Sequence, residues 1–459
     1  MFLDLDKKAT ASLAVIDDSG QALTYGDICL FSAQFAQHVP ARSLIFLLAE
    51  NRNGSLLGYV ACLSNGIVPL LLNAKTEEEA YRHLYELYRP AYVWASEDNR
   101  HCTGLVPVFS ANGYALYPTG NAPVPLHPDL ALLLLTSGST GSPKLVRHSL
   151  RNVEVNAGNV CQLFGLTPDE RAMATLPMYY TMGLSVITSH LLAGATLLLS
   201  SRSMLDKGFW TTLQEATSFT GVPYSYELLM RMHFTRMHLP NLRVLSQGGG
   251  KLSEEMFRSL AQYAHDTGKR FIATYGQSEC TARMAYLPAE LALEKTCSIG
   301  FAEPGGQLSI IDENGQESFT GEAMGEMVYR GENVTLGYAF SPEDLLKGDE
   351  NHGVMHTGDL ARRDADGCYF IVGRLKRFLK IYGVRIDLEE VENLIQAEFK
   401  TDCYCKGNDE KLVVLVADRQ AAAKLPGFLE NKTHLFHKNI EVRLVDAILR
   451  NEAGKVINQ

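Results

Sequence analysis

The hydrophobic positions fall into two textures. Up to about Gly300, unbroken apolar runs of strand length ("RSLIFLLAE", "GIVPLLLN", "LALLLLTSG", "GATLLLSS", "LRVLSQGGG") alternate with longer amphipathic stretches such as "YRHLYELYRP" and "EEMFRSLAQYAHDTGKRF". Runs without polar alternation predict strands buried on both faces, and the amphipathic stretches predict the helices that cover them. The expected class is α/β with parallel strands. The most apolar segment, "LLGYVACLSNGIVPLLL" at 56–72, is interrupted by Ser64, Asn65, Gly66 and Pro69. It predicts a buried helix, a turn and a strand rather than a membrane span.

After Gly300 the runs shorten. "GQLSIIDENGQ", "GEMVYRGE" and "DADGCYFIVGR" are short strands between Gly, Asn and Asp turns, which predicts a small, mainly β subdomain. From "RLKRFLKIYGVRIDLEEVENLIQAEF" onward the pattern is a basic hairpin, an amphipathic helix and later strands "LVVLVA" and "IEVRLV". This predicts a small α+β unit, with a large domain over 1–374 and a small one over 375–459.

Composition narrows the classes. At 459 residues, 46% hydrophobic and 20% charged, the chain reads as globular and longer than one ordinary domain, without low-complexity tracts or a fixed repeat. A net charge of -10 argues against a nucleic-acid partner. The opening "MFLDLDKKAT" lacks the basic start and apolar core of an export signal. Nine scattered cysteines with no CxxC pair fit reduced thiols, and the expected location is the cytoplasm.

The chemistry begins where a buried strand ends in "TSGSTGSPK", 136–144. Glycines let backbone N–H groups approach an oxyanion, hydroxyls add donors, and Lys144 supplies positive charge. Polyphosphate is the expected guest. A Walker A loop is excluded, because Lys144 follows Pro143 and precedes Leu145. "TYGQSE", 274–279, offers an aromatic for a purine, a glycine for close approach and a carboxylate for Mg²⁺; taken alone it is equally a Tyr-Gly turn with a solvated Glu. "SQGGGKLS", 246–253, places Gly248, Gly249 and Gly250 after a strand, where backbone must approach something or turn tightly.

These segments, in this order, resemble the adenylate-forming superfamily of acyl- and aryl-CoA synthetases, peptide-synthetase adenylation domains and luciferases. The resemblance runs through "HTGDLARRDADGCYFIVGRLKRFLKIYGVRI" to the terminal "RNEAGKVINQ". It implies a large N-terminal domain of two α/β layers plus a β subdomain, and a mobile α+β C-terminal domain. Thr136, Ser137, Gly138, Ser139, Thr140, Gly141 and Lys144 would hold phosphate. Gly248, Gly249, Gly250, Thr274, Tyr275, Gly276, Gln277 and Ser278 would surround the adenine, and Asp359 and Arg374 the ribose. Glu279 would hold Mg²⁺, and Lys455 would reach both the substrate carboxylate and the α-phosphate. Lys376 falls at the hinge, with Lys380 and Gly383 in the hairpin that enters the site during thioester formation. Tyr180, Gly183, Tyr224, Gly249 and Gly276 would line the acyl pocket, although such aromatics are also ordinary core residues.

The implied reaction is ATP-dependent activation of a carboxylic acid, then transfer to the thiol of CoA. A phosphopantetheine carrier protein as acceptor and a nucleotide-binding homologue without turnover are the alternatives. Relatives that activate amino acids place an aspartate for the α-ammonium just after the segment beginning at Pro177. Here 177–190 contains no Asp or Glu, and Gly183 stands at that position. The expected acid therefore lacks an α-amino group.

Overall fold

The computed structural model describes residues 1–136, 144–375, 378–381, 384–408, 410–433, 435–450 and 456. Packing divides it into two units: 1–307 with 329–355, and 308–328 with 356–459.

The first unit is built on two sheets. In the eight-stranded sheet, Leu44–Ala49, Val68–Asn73, Leu130–Thr136 and Tyr92–Ser96 run parallel. Every residue of Leu44–Ala49 is buried, which is why its sequence shows no alternation. Beyond Leu130–Thr136 the sheet turns antiparallel, through Lys144–Ser149 and then the edge strand Gly337–Ala339. In the nine-stranded sheet, Leu13–Ile16, Thr196–Leu199, Arg171–Ala174, Ser218–Gly221, Val244–Gln247 and Arg270–Tyr275 run parallel. Ala285–Leu287 and Phe301–Ala302 close one edge antiparallel.

Helices Tyr25–Phe35, Asn53–Ser64, Leu150–Phe164 and Thr181–Ala193 share one core with residues of both sheets, such as Ile45, Leu47, Ala172 and Leu197. Asn53–Ser64 is buried from Asn53 through Leu63, as an all-round apolar helix must be, and the strand Val68–Asn73 follows it. The segment 56–72 is thus helix, turn and strand. Among the described residues no helix is long and apolar enough to cross a membrane. Helix Leu150–Phe164 starts in a capping box between Ser149 and Asn152 and stops at Gly165, φ 62°.

The second unit contains the short strands expected after Gly300: Glu317–Ser318 pairs with Gln307–Ile311, and Tyr369–Arg374 with Val354–Arg363. The hairpin Phe378–Ile381/Val384–Asp387 and helix Leu388–Phe399 follow. Strands Cys403–Asn408, Lys411–Val416 and Ile440–Leu444 then form a sheet beside helix Arg419–Thr433. Leu379, Ile395, Val414 and Leu425 belong to their shared core.

Candidate active site

The loop 137–143 lies outside the described residues, but its mount is clear. Thr136 and Lys144 are cross-strand partners in the antiparallel pair that the loop joins. Lys144 therefore stands at the foot of a hairpin. Its Nζ lies 3.8 Å from the centre of the Tyr338 ring and 4.0 Å from Glu279 Oε1. The Tyr338 hydroxyl donates to the same Oε1 at 2.6 Å. Burial, with the Glu279 carboxylate beside it, holds that phenol well above its ordinary range, so it remains a donor. Among the described residues Oε2 of Glu279 takes no hydrogen bond.

Tyr338 had no place in the sequence reading. It arrives because Gly337–Ala339 pairs with Lys144–Ser149, setting Tyr338 opposite Val146. The available signal was the Gly-Tyr pair in "LGYAF".

Glu279 sits on a strained turn after strand Arg270–Tyr275. Thr281 and Ala282 have φ of 55° and 108°, a region that costs side-chain-bearing residues on the order of 1–3 kcal/mol each. Gly276 permits the turn to fold back: a Cβ there would lie 1.5 Å from the Ala282 carbonyl oxygen. Ser278 Oγ is 3.4 Å from Thr181 Oγ1, and Gln277 Nε2 donates to the Tyr275 hydroxyl at 3.0 Å. Thr274 is buried and its hydroxyl donates to Gln247 O at 2.9 Å.

Buried groups pin the turn from behind. Asn333 Nδ2 faces Cys280 O at 3.0 Å, Arg283 O at 3.1 Å and Glu303 Oε1 at 2.8 Å. Its main-chain oxygen accepts from Thr281 Oγ1 at 2.8 Å. That hydroxyl has one proton to give, so the 3.2 Å contact with His148 Nδ1 is a bond donated by histidine. Burial keeps His148 neutral, pushed down to about 3. Thr335 donates to Glu279 O from both N and Oγ1, each at 3.0 Å. Tyr329 Oη lies 2.8 Å from Asn333 Oδ1 and 3.2 Å from Glu303 Oε1.

Burial pushes the Glu303 carboxyl up to about 8 from 4.5. Between these values the folded chain holds a proton that the unfolded chain releases, so this group's contribution to stability is present at low pH and lost as pH rises through 8. The melting temperature of the wild type, relative to Glu303→Gln, is therefore expected to fall from pH 4.5 to 8. A rise over that window would mean an ionised carboxylate paired with the buried Arg283.

The glycine turn after Val244–Gln247 is braced by Gln247, whose Nε2 donates to Gly250 O at 2.7 Å. A Cβ on Gly248 would meet Met182 Cε at 2.1 Å, and one on Gly249 would meet Val222 Cγ1 at 3.2 Å. Tyr180 caps helix Thr181–Ala193 and is half-buried, its ring 4.8 Å from that of Tyr179; Tyr224 is 55% exposed. Gly183 is buried, and a Cβ there would lie 2.3 Å from Pro177 O and 2.6 Å from Leu176 O. No side chain can stand at 183 without moving the backbone.

In the second unit Asp359 and Arg374 are cross-strand partners, joined by an ion pair of 2.8 Å between Nε and Oδ1. Asp359 is buried and Arg374 exposed. Lys380 lies on a strand of the following hairpin, opposite Arg385. Lys376, Gly383 and Lys455, like Ser137, Gly138, Ser139, Thr140 and Gly141, lie outside the described residues.

Among the described residues no three His, Cys, Asp or Glu side chains cluster as a metal cage. A single carboxylate with one oxygen uncommitted still suits Mg²⁺, which keeps its waters and is completed by substrate phosphates.

The profile of the AMP-binding enzyme family matches residues 5–339. The chain is 28% identical to indoleacetate–CoA ligase of Aromatoleum aromaticum over 390 residues, covering 80% of this chain and 75% of that one. It is 29% identical to sulfoacetate–CoA ligase of Cupriavidus necator over 477 positions, covering 96% and 92%. Its fold is similar to that of o-succinylbenzoate CoA synthetase of Bacillus subtilis, with a TM-score of 0.77 at 20% identity, over 99% and 96% of the two chains. The profile match begins before the first strand of the nine-stranded sheet and ends with the edge strand that delivers Tyr338. A match of that extent fixes the affiliation: the chain belongs to the AMP-binding enzyme family.

Proposed function

We propose that this AMP-forming ligase activates a carboxylic acid without an α-amino group and passes it to the thiol of CoA. The observation that carries the proposal is the gathering of Lys144, Glu279 and Tyr338 at the foot of the "TSGSTGSPK" hairpin. A cation, a carboxylate suited to Mg²⁺ and a hydroxyl thus lie beside the strands that this loop joins, which supports the reading.

A carboxylate does not acylate a thiol at neutral pH, because oxide is a poor leaving group. Attack of a carboxylate oxygen on the α-phosphorus of ATP releases pyrophosphate and forms an acyl-adenylate. The thiol then displaces AMP. Catalysis of the first step is positioning plus charge neutralisation. Loop donors from 136–144 hold the phosphates. Tyr275, Gly276 and the turn 248–250 form the adenine wall, and Asp359, oriented by Arg374, accepts from the ribose hydroxyls. Glu279 would hold Mg²⁺, which would supply Lewis-acid polarisation of the phosphates. Lys455 bridges substrate carboxylate and α-phosphate. Rotation about Lys376 then exchanges Lys455 for the hairpin of Lys380 and Gly383, defining a mobile domain over 375–459. A cytoplasmic setting suits CoA as co-substrate and nine free cysteines.

The acid class follows from Gly183. A buried ammonium needs a carboxylate partner, since an unpaired charge in a closed pocket is very costly. The stretch 177–190 carries no Asp or Glu, and the crowding at 183 leaves no room to add one. Met182, Tyr180 and the glycine turn are the surroundings such an ammonium would meet. Pyrophosphate exchange is measured with matched acids, each against its α-amino analogue, and AMP release with CoA against a phosphopantetheinylated carrier. The unsubstituted acid and CoA are expected to win. Consistent preference for the amino acid would overturn the acid class, and preference for the carrier would overturn the acceptor.

A further inference from the structure

The turn 278–283 is strained, and what holds it is buried and polar. Thr281 and Ala282 adopt positive φ immediately after Glu279, where side chains have no intrinsic reason to do so. Such a conformation persists only when its surroundings over-determine it. The surroundings converge on Asn333, which is fully buried. Its amide reaches the carbonyls on both sides of the strained pair, Cys280 O and Arg283 O, while its main-chain oxygen takes the hydroxyl between them.

Asn333 is itself held. Its Oδ1 accepts from Tyr329, and Glu303 Oε1 accepts from its Nδ2; Glu303 in turn receives Asn159 Nδ2 at 3.1 Å. An amide Nδ2 has two protons, and here it faces three acceptors. Its rotation is therefore fixed, and so is the pair of carbonyls it grips. A buried polar cluster of Glu303, Tyr329 and Asn333 is expensive as mere core filling, where apolar residues of similar volume would serve. The cluster gains a purpose if its output is the location of one atom group, the Glu279 carboxylate facing Lys144 and Tyr338.

We infer that Asn333, clamped by Glu303 and Tyr329, is a positioning residue that presets the Glu279 turn for the metal–nucleotide complex. The inference rests on the proposed function, since it gives the cluster a role in ATP binding. It predicts that the cluster matters to ATP only when the metal is present. Without metal, ATP would rely on the loop donors and the adenine wall, whereas the hydrogen bonds of Asn333 go to the Glu279 turn, Glu303 and Tyr329.

Calorimetric titration of the full chain with ATP, in EDTA and in Mg²⁺, separates the two. In the wild type Mg²⁺ raises affinity. In Asn333→Ala that gain is expected to shrink by about 10–100-fold, the range for residues that orient a metal ligand, with affinity in EDTA unchanged. Tyr329→Phe, which removes one hydroxyl and disturbs packing least, should lose part of the gain and serves if Asn333→Ala does not fold. Glu303→Gln keeps an accepting oxygen for Asn333 and should retain the gain, whereas Glu303→Leu should not. Variants that melt earlier yet keep the full Mg²⁺-dependent gain would reduce the cluster to a fold-stabilising core and overturn the inference. Equal losses in EDTA and Mg²⁺ would do the same. A wild type that binds no ATP under either condition would instead sink the functional proposal.

Discussion

Replacing Glu279 with glutamine is expected to slow acid-dependent pyrophosphate exchange by about 10²–10³-fold, the loss seen when one preorganised electrostatic group is removed from a transition state. The substitution keeps the shape of the side chain and an oxygen that accepts from Tyr338, so what it removes is the charge. Lys144 lies 4.0 Å away and would lose its anionic neighbour, while the metal would lose its protein ligand. Glu279 is only partly buried and glutamine retains an acceptor for Tyr338, so the melting temperature should not move. Tyr338→Phe should have a smaller effect of the same kind, since it frees Oε1 without removing it. Unchanged exchange in Glu279→Gln would take this carboxylate out of the reaction.

Lys455→Ala should divide the two half-reactions. Charge accumulates on the α-phosphate as the acid attacks, and the resemblance of the terminal Gly454-Lys455 to the family ending places a lysine there. Loss of that contact should cost adenylation on the order of 2.7–4 kcal/mol. Thiolysis of a supplied acyl-adenylate should survive, because in the proposed cycle that step would follow rotation of the domain carrying Lys455. Single-turnover AMP release from a synthetic acyl-adenylate reads the second step, and pyrophosphate exchange reads the first. Equal loss in both would rule out a role confined to adenylation.

Much of this molecule is readable along the chain because its central strands are buried on both faces. "LIFLLA" and "LLLLT" announce themselves by the absence of alternation, and both lie in the eight-stranded sheet as expected. The site is readable where a motif is contiguous: Lys144 beside its loop, Glu279 beside Thr274, Tyr275 and Gly276. It is unreadable where strand pairing imports a residue from far away. Tyr338 reaches Glu279 across 59 positions, and Asn333 reaches Thr281 across 52. The Gly-Tyr pair at 337–338 is the one local signal and a weak one, because a tyrosine or asparagine near a glycine is ordinary turn chemistry. Glu303 is harder still: nothing in "FAEPGG" says that its carboxylate is buried. Asp359 and Arg374 came through resemblance alone, and their cross-strand register supplies the physical reason that they act as a pair.

The distance between Glu279 and its supports also sets a timetable for the chain's own synthesis. When the ribosome has released residues up to Ala282, the strained turn has His148 behind it but still lacks the amide of Asn333 and the hydroxyls of Thr335 and Tyr338. Asn333 and Thr335 emerge later, and Tyr338 arrives only with the strand that zips onto Lys144–Ser149. Domains form as units during translation, so the first unit cannot close on a nascent chain that stops short of Ala339. A polypeptide interrupted anywhere in the preceding 59 residues would hold most of both large sheets and still lack the hydrogen bond from Tyr338 to Glu279. On the proposed mechanism, premature fragments of this ligase would thus be poor consumers of ATP, because the supports of the Glu279 carboxylate are among the last parts of its unit to be made.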